Sequence, residues 1–411
     1  MASTLRYKLS AAIRATQPPP IALAKAWGAA YHPTPSRPII DLSQGVPGIP
    51  PPQFVLDAVG EASKNPTYCG YGPMCGDLPM REALATEMRD VYRPEVDLTY
   101  KDISTTAGCN LSFVSVIMTL AGPEDEVILP IPWYFNHQMT LQMLGINAVP
   151  LLCHSSQKFM PSVEECARLI TPRTRAIVLV TPNNPTGAIY SPDLLRSFAA
   201  LAHQRGIALV VDETYRDLIT SGPPHRLFER ASVEQEGWDW RETFIHLFSF
   251  SKSYCVPGHR LGAIVASPDI LDHINTVLDC IQICPPRPIQ AALHPLLPSI
   301  RPFIRSNAQA LANRHELFRS ILPEGWIIGS QGGYYAFVRH PISGVSALDV
   351  SMKLAKDLGV VTLPASFFGL SRTSPADDGW IRFSIANVSD ENLKKVRERL
   401  LECEQSFRRS D

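Results

Sequence analysis

The sequence predicts an α/β fold: a mostly parallel sheet lying between helices, followed by a smaller α/β domain. Two features carry this. Between Glu126 and Leu261 short apolar runs alternate with amphipathic segments, the pattern of strands joined by crossover helices. Beyond about residue 300 the alternation stops, and a long helical segment leads into a shorter mixture that ends in another helix. At 411 residues, with 45% hydrophobic side chains, the chain has material for two domains and a large core.

The first forty residues contain no Asp or Glu. Leu5, Leu9 and Ile13 accompany Arg6, Lys8 and Arg14 at helical spacing, faintly like an organellar transit peptide. The plainer reading is a basic helix stopped by Pro18-Pro19-Pro20. Asp41-Leu-Ser-Gln-Gly45 and the prolines after it read as a short strand opening into a rigid turn, with a helix over 53–64. Thr105 to Asn110 precede an apolar helix over 111–120, whose first backbone N–H groups either hold an anion or simply begin a capped helix. Strands are expected over 126–129, 148–152, 175–180, 207–211, 244–248 and 261–266, with 193–205 among the connecting helices. Helices over 304–321 and 390–407 belong to the second domain.

Composition narrows the function. A net charge of −1 points away from nucleic acid and from acidic membrane surfaces. No apolar run is long enough to span a bilayer. Nine cysteines with no Cys-x-x-Cys pair suggest reduced thiols in the cytoplasm. Gly70 to Gly76 misses the dinucleotide fingerprint by spacing, by its proline and by the lack of a preceding strand. No P-loop occurs, and the histidines lack metal-ligand spacing.

Ligands of an open parallel sheet collect at the carboxyl ends of its strands. One such end runs into Asn183-Asn184-Pro-Thr-Gly187, a tight polar turn. A second runs into Asp212-Glu-Thr-Tyr215, and a third into Ser249-Phe-Ser251-Lys252, with Arg260 eight residues on. A lysine where a buried strand ends is partly desolvated, which lowers its pKa toward the free amine that Schiff-base chemistry needs. An amide, a carboxylate with a phenol, and an amine beside an arginine together make a site.

In order along the chain, these pieces resemble the class I/II aminotransferases, pyridoxal 5′-phosphate (PLP) enzymes of fold type I. The matching motifs are Gly45 in Leu-x-x-Gly-x-Pro, Tyr71 with Gly76-x-x-x-x-Arg81, Ala107-Gly108-Cys109 and Pro130-x-Pro132-Trp133-Tyr134. Asn183-Asn184-Pro-Thr-Gly187, Asp212-x-x-Tyr215, Ser249-x-Ser-Lys252 with Arg260, and Trp380-Ile-Arg382-Phe complete them. The resemblance implies a mostly parallel seven-stranded sheet in a large domain over 46–300. It also implies a small C-terminal domain over 301–411, joined by an N-terminal arm over 1–45.

The resemblance also implies roles. Lys252 would hold PLP as a Schiff base and shuttle the proton at the substrate Cα. Asp212 would pair with the pyridinium nitrogen, and Tyr215 and Asn184 with the ring's phenolic oxygen. Tyr134, or its neighbour Trp133, would stack on the ring. Gly108, Cys109, Ser249, Ser251 and Arg260 would hold the phosphate, and Tyr71 would reach it from the second subunit of a homodimer. Ala107 and Cys109 stand where a hydroxyl side chain often helps, which shifts weight to Arg260 and Tyr71. Arg382, with the Gly45 backbone, would grip the substrate carboxylate.

The implied reaction is transfer of an amino group from an L-amino acid to a 2-oxo acid. A PLP-dependent lyase or synthase is the alternative, because fold and cofactor do not fix which Cα bond breaks. A regulator that only senses PLP would carry a DNA-binding module, for which the first forty residues are too few and too Pro-rich. Arg287 is the nearest candidate for a second substrate carboxylate, but it is offset from the expected position. Trp27, Tyr31 and Tyr334 are candidates for a side-chain pocket or for core packing, and the substrate expected is a neutral or aromatic amino acid.

Overall fold

The computed structural model describes residues 6–93, 95–220, 222, 224–229, 238–370 and 379–408. Its strands are β1 (Ile40–Asp41), β2 (Ile103–Thr106), β3 (Glu126–Ile131), β4 (Asn147–Leu152), β5 (Thr174–Val180), β6 (Ala208–Asp212) and β7 (Phe244–Ser249). There follow β8 (Gly262–Val265), β9 (Ile327–Gly332), β10 (Tyr335–Arg339), β11 (Val360–Val361), β12 (Leu363–Pro364) and β13 (Trp380–Ser384). Seven of them form the central sheet in the order β2-β8-β7-β6-β5-β3-β4, and only β8 runs antiparallel to its neighbours.

β3, β5 and β7 are buried nearly throughout, as strands covered by helices on both faces must be. One face packs Ile128, Leu179, Leu209 and Phe248 against Phe198 and Leu84. The other packs Leu129, Val178, Val210 and Ile264 against Phe113 and Ile274. Because β5, β6 and β7 are parallel and in register, their carboxyl ends deliver Asn184, Asp212 and Lys252 to one edge of the sheet.

A four-stranded sheet, β12-β13-β10-β9, makes the smaller layer, and β1 pairs in parallel with β11 beside it. The arm is thereby tied to the C-terminal part of the chain. The helix Leu297–Ile321 runs unbroken through the expected boundary at 300 and 301. It begins seven residues before the expected 304, because Pro298 fits a helical first turn and Pro302 is accommodated within the helix.

Elsewhere the expected helix at 53–64 forms over Gln53–Lys64, and the apolar helix starts two residues early, at Cys109. The C-terminal helix is two, Asp390–Lys394 and Val396–Arg408. The basic N-terminal segment forms the short helix Ala11–Ala15, while Leu5 lies outside the described residues. Pro20 opens the next helix, Pro20–Gly28, instead of only ending the first. No helix among the described residues is long and apolar enough to cross a membrane.

Candidate active site

The strand ends and the second layer enclose a cavity of about 330 Å³. Gly45, Cys109, Tyr134, Asn184, Asp212, Tyr215, Ser249, Ser251, Lys252, Arg260 and Arg382 all line it. Lys252 leaves β7 in the short helix Phe250–Ser253, capped by the Ser249 side chain, which accepts the Ser251 N–H at 3.2 Å. Its Nζ donates to the Gly45 carbonyl at 2.6 Å. Burial, then the nearby Arg260 and Arg382 cations, push its pKa down to about 8, against smaller opposing effects of Asp212 and Cys109. The amine is thus easier to free than an ordinary lysine.

Asp212 sits at the cavity floor, where burial alone would raise its pKa. His137, 3.4 Å away, and the Thr214 backbone N–H, at 2.9 Å, more than offset this and hold the carboxyl below its usual range. His137 is itself fixed by stacking on Phe113 at 3.8 Å between centroids. Neither the histidine nor its role was visible in the sequence, where it is an isolated His three residues beyond Tyr134.

On the opposite side Arg260 reaches back over Gly108, so a side chain at 108 would collide with the guanidinium. Gly108, at φ 93°, precedes the helix Cys109–Leu120, whose first N–H groups lack intrahelical partners. Arg260 and that helix start make an anion site with one wall of permanent charge. Arg382 is fully buried under the layer, where its Nη1 donates to Asn184 Oδ1 at 2.8 Å and its Nη2 to the Ser43 carbonyl. Its Nε has no hydrogen-bond partner among the described residues, and the guanidinium lies 4.6 Å from the Tyr335 ring.

Of the alternatives the sequence left open, several lie away from the cavity. Trp133 does not line the cavity: its indole packs on Gly369, and its backbone N–H donates to the Phe368 carbonyl. Tyr134 is the aromatic at the site, its hydroxyl held by Asn136 at 2.8 Å and Asn110 at 3.3 Å. Arg287 is occupied by Asp77 and by the Thr67 and Gly70 carbonyls, so it braces the loop before Tyr71. Trp27 stacks on Phe367, Tyr31 bonds the Arg37 carbonyl, and Tyr334 bonds the Lys252 carbonyl; none lines the cavity.

Tyr335 lines it instead, its hydroxyl 2.6 Å from that of Tyr215. Tyr71 is 80% exposed and outside the cavity of its own chain.

The family model for aminotransferase class I and II matches residues 37–400. The chain belongs to this family. It is 29% identical over 371 residues to an aromatic aminotransferase of Arabidopsis thaliana, covering 88% of each chain. It is 27% identical to an aromatic-amino-acid aminotransferase of Thermococcus litoralis, covering 90% of this chain and 95% of that one. The aspartate aminotransferase of Thermus thermophilus, solved with maleate, superimposes with a TM-score of 0.85 at 25% identity, covering 97% and 100%.

This aminotransferase uses PLP, and the residues present fit it. A buried amine with a lowered pKa faces an ionised carboxylate, an anion site backed by Arg260, and an aromatic ring. Those are the groups an aldehyde, a pyridine nitrogen, a phosphate and a ring face call for.

Proposed function

We propose that this aminotransferase takes the amino group from a neutral or aromatic L-amino acid, and that it works as a cytoplasmic homodimer. The substrate class rests on one observation. Among the described residues only three cations line the cavity, Lys252, Arg260 and Arg382. Each already has a partner in the chemistry, respectively the cofactor's aldehyde, its phosphate and the substrate's α-carboxylate. None is left for a second carboxylate. Lys25 bonds Gln44 at 2.9 Å but does not itself line the cavity. Pro19, Ile21, Val46 and Phe135 give part of the wall an apolar surface, beside the uncharged Gln44, Asn110 and Asn136, which suits an uncharged side chain.

When bound, PLP supplies an electron sink for the pair released at the substrate Cα. The protein does the rest. Lys252 would anchor the cofactor and, once displaced, its amine would take the proton from the substrate Cα and deliver it to the carbon that had carried the aldehyde. Asp212, kept ionised by His137 and Thr214, would favour a proton on the pyridine nitrogen. Arg382 and Asn184 would orient the substrate carboxylate, and Tyr134 would pack against the ring. The dimer is supported by Tyr71, which is exposed and outside its own cavity, on a loop whose Gly70 carbonyl accepts from Arg287. The nine free thiols accord with a reducing compartment.

A panel of amino donors tests the substrate class. Phenylalanine, tyrosine or leucine should show kcat/KM at least tenfold above aspartate and glutamate. Aspartate or glutamate far above all others would overturn the reading.

A further inference from the structure

A second cavity shares a wall with the first. In the segment that leaves β6, Asp212, Thr214 and Tyr215 line the cofactor cavity, whereas Glu213, Arg216 and Asp217 line the other. The second space holds about 590 Å³, well within the range of small-molecule sites. Its far wall is the helix Leu297–Ile321, which turns Arg301, Ile304, Arg305 and Ala308 toward it at positions i, i+3, i+4 and i+7. Leu195 and Ile219 add apolar surface.

The charges beneath are nearly all matched. Glu87 and Asp217 are bridged by Arg216 and Arg301, with contacts of 2.8–3.1 Å. Glu213 accepts from Tyr92 and lies 3.0 Å from His225 and 2.9 Å from His246. Left over among the described residues are Arg305, one Arg216 nitrogen, and two buried carboxylate oxygens, Glu87 Oε2 and Asp217 Oδ2. Arg305, one turn beyond Arg301, is exposed and makes no ion pair among the described residues. Arg216 is 5% exposed, and its Nη1 is a buried donor with no partner. Burial also raises the pKa of Glu87, which weakens the negative side of the cluster. The cavity therefore has apolar walls over a charge-matched floor, with one arginine at its mouth that has no ion pair among the described residues.

We propose that it is a second small-molecule site, for a monocarboxylate with an apolar, ring-sized body. The carboxylate lies against Arg305 and Arg301, and the body rests between Ile304, Ala308, Leu195 and Ile219. A single guanidinium without an ion pair suits a carboxylate better than a phosphate dianion. An occupant would press on the reverse side of the segment that presents Asp212 and Tyr215 to the cofactor.

The test is calorimetric titration of PLP-loaded Arg382→Ala enzyme with phenylacetate, the substitution removing the carboxylate grip of the cofactor cavity. Saturable binding of one equivalent per chain is expected. Adding Arg305→Glu or Ala308→Phe should weaken it at least tenfold. Arg305 is exposed, so Arg305→Glu in the otherwise wild-type enzyme should keep its fold and kcat. Absence of saturable binding to the Arg382→Ala enzyme overturns the proposal. So does an affinity that survives Arg305→Glu, whatever Ala308→Phe does.

Discussion

Replacing Lys252 by Met should make the cofactor-free enzyme more stable at neutral pH. The cavity holds the lysine's pKa at about 8 against an ordinary 10.5. At 1.36 kcal/mol per unit, keeping the charged amine inside costs about 3 kcal/mol. Met fills a similar volume without charge but forfeits the 2.6 Å bond to the Gly45 carbonyl, worth about 1 kcal/mol. The net gain is about 2 kcal/mol.

Its pH dependence follows from the sign of the shift. Below the folded pKa of about 8 the lysine is charged in both states, so the whole cost is present. As pH rises from about 8 toward 10.5 the folded amine is neutral while the unfolded one still binds its proton, and the cost disappears. Denaturant unfolding of both cofactor-free proteins at pH 7 and pH 10.5, at equal protein concentration, reads this directly. A stability gain at pH 7 that vanishes or reverses at pH 10.5 is the expected result. A Met variant no more stable at pH 7, or a difference that ignores pH, would show that burial does not depress this amine.

Arg260→Gln should raise the Kd for PLP about 10- to 100-fold, the loss of one charge-assisted contact of roughly 1.5–3 kcal/mol, read by equilibrium titration of cofactor-free protein. Mixing inactive Lys252→Ala with Tyr71→Ala subunits should restore about a quarter of wild-type activity, since about half the dimers are hybrids with one intact site each. No restoration would place Tyr71's action within its own subunit. Gly187→Ala should lower stability by more than ~2 kcal/mol, measured by denaturant unfolding. Its φ is +72°, and a methyl there would collide with the Tyr335 carbonyl and the Gly332 N–H.

The residues that do covalent or charge chemistry were legible in the sequence because they punctuate apolar strands: Asp212 ends β6, and Asn184 and Lys252 follow closely on β5 and β7. What escaped was polar matter buried without an apolar pattern. β2 reads as Ile-Ser-Thr-Thr, yet all four residues are buried, their hydroxyls satisfied by Asn275, Gln290 and Ser112. No hydrophobic periodicity marks such a strand. The sequence left the choice between neighbouring aromatics open for a related reason. Tyr334 and Tyr335 both pack their rings on Tyr215, but only Tyr335, the first residue of β10, bonds its hydroxyl and lines the cavity, a difference set by the pairing of β10. Trp133 and Tyr134 likewise diverge where β3 turns into the helix Phe135–Leu144. His137 gains its meaning from Asp212, 75 residues away in the chain, a proximity that only the folded sheet creates.

The most direct test of the mechanism is a single-turnover reaction of purified, PLP-loaded enzyme with phenylalanine and no 2-oxo acid. One equivalent of phenylpyruvate per Lys252 is expected, then arrest until an acceptor 2-oxo acid is added, with no product from Lys252→Ala. Continuous release of ammonia or of a shortened product without any acceptor, or an unchanged burst from Lys252→Ala, would contradict it.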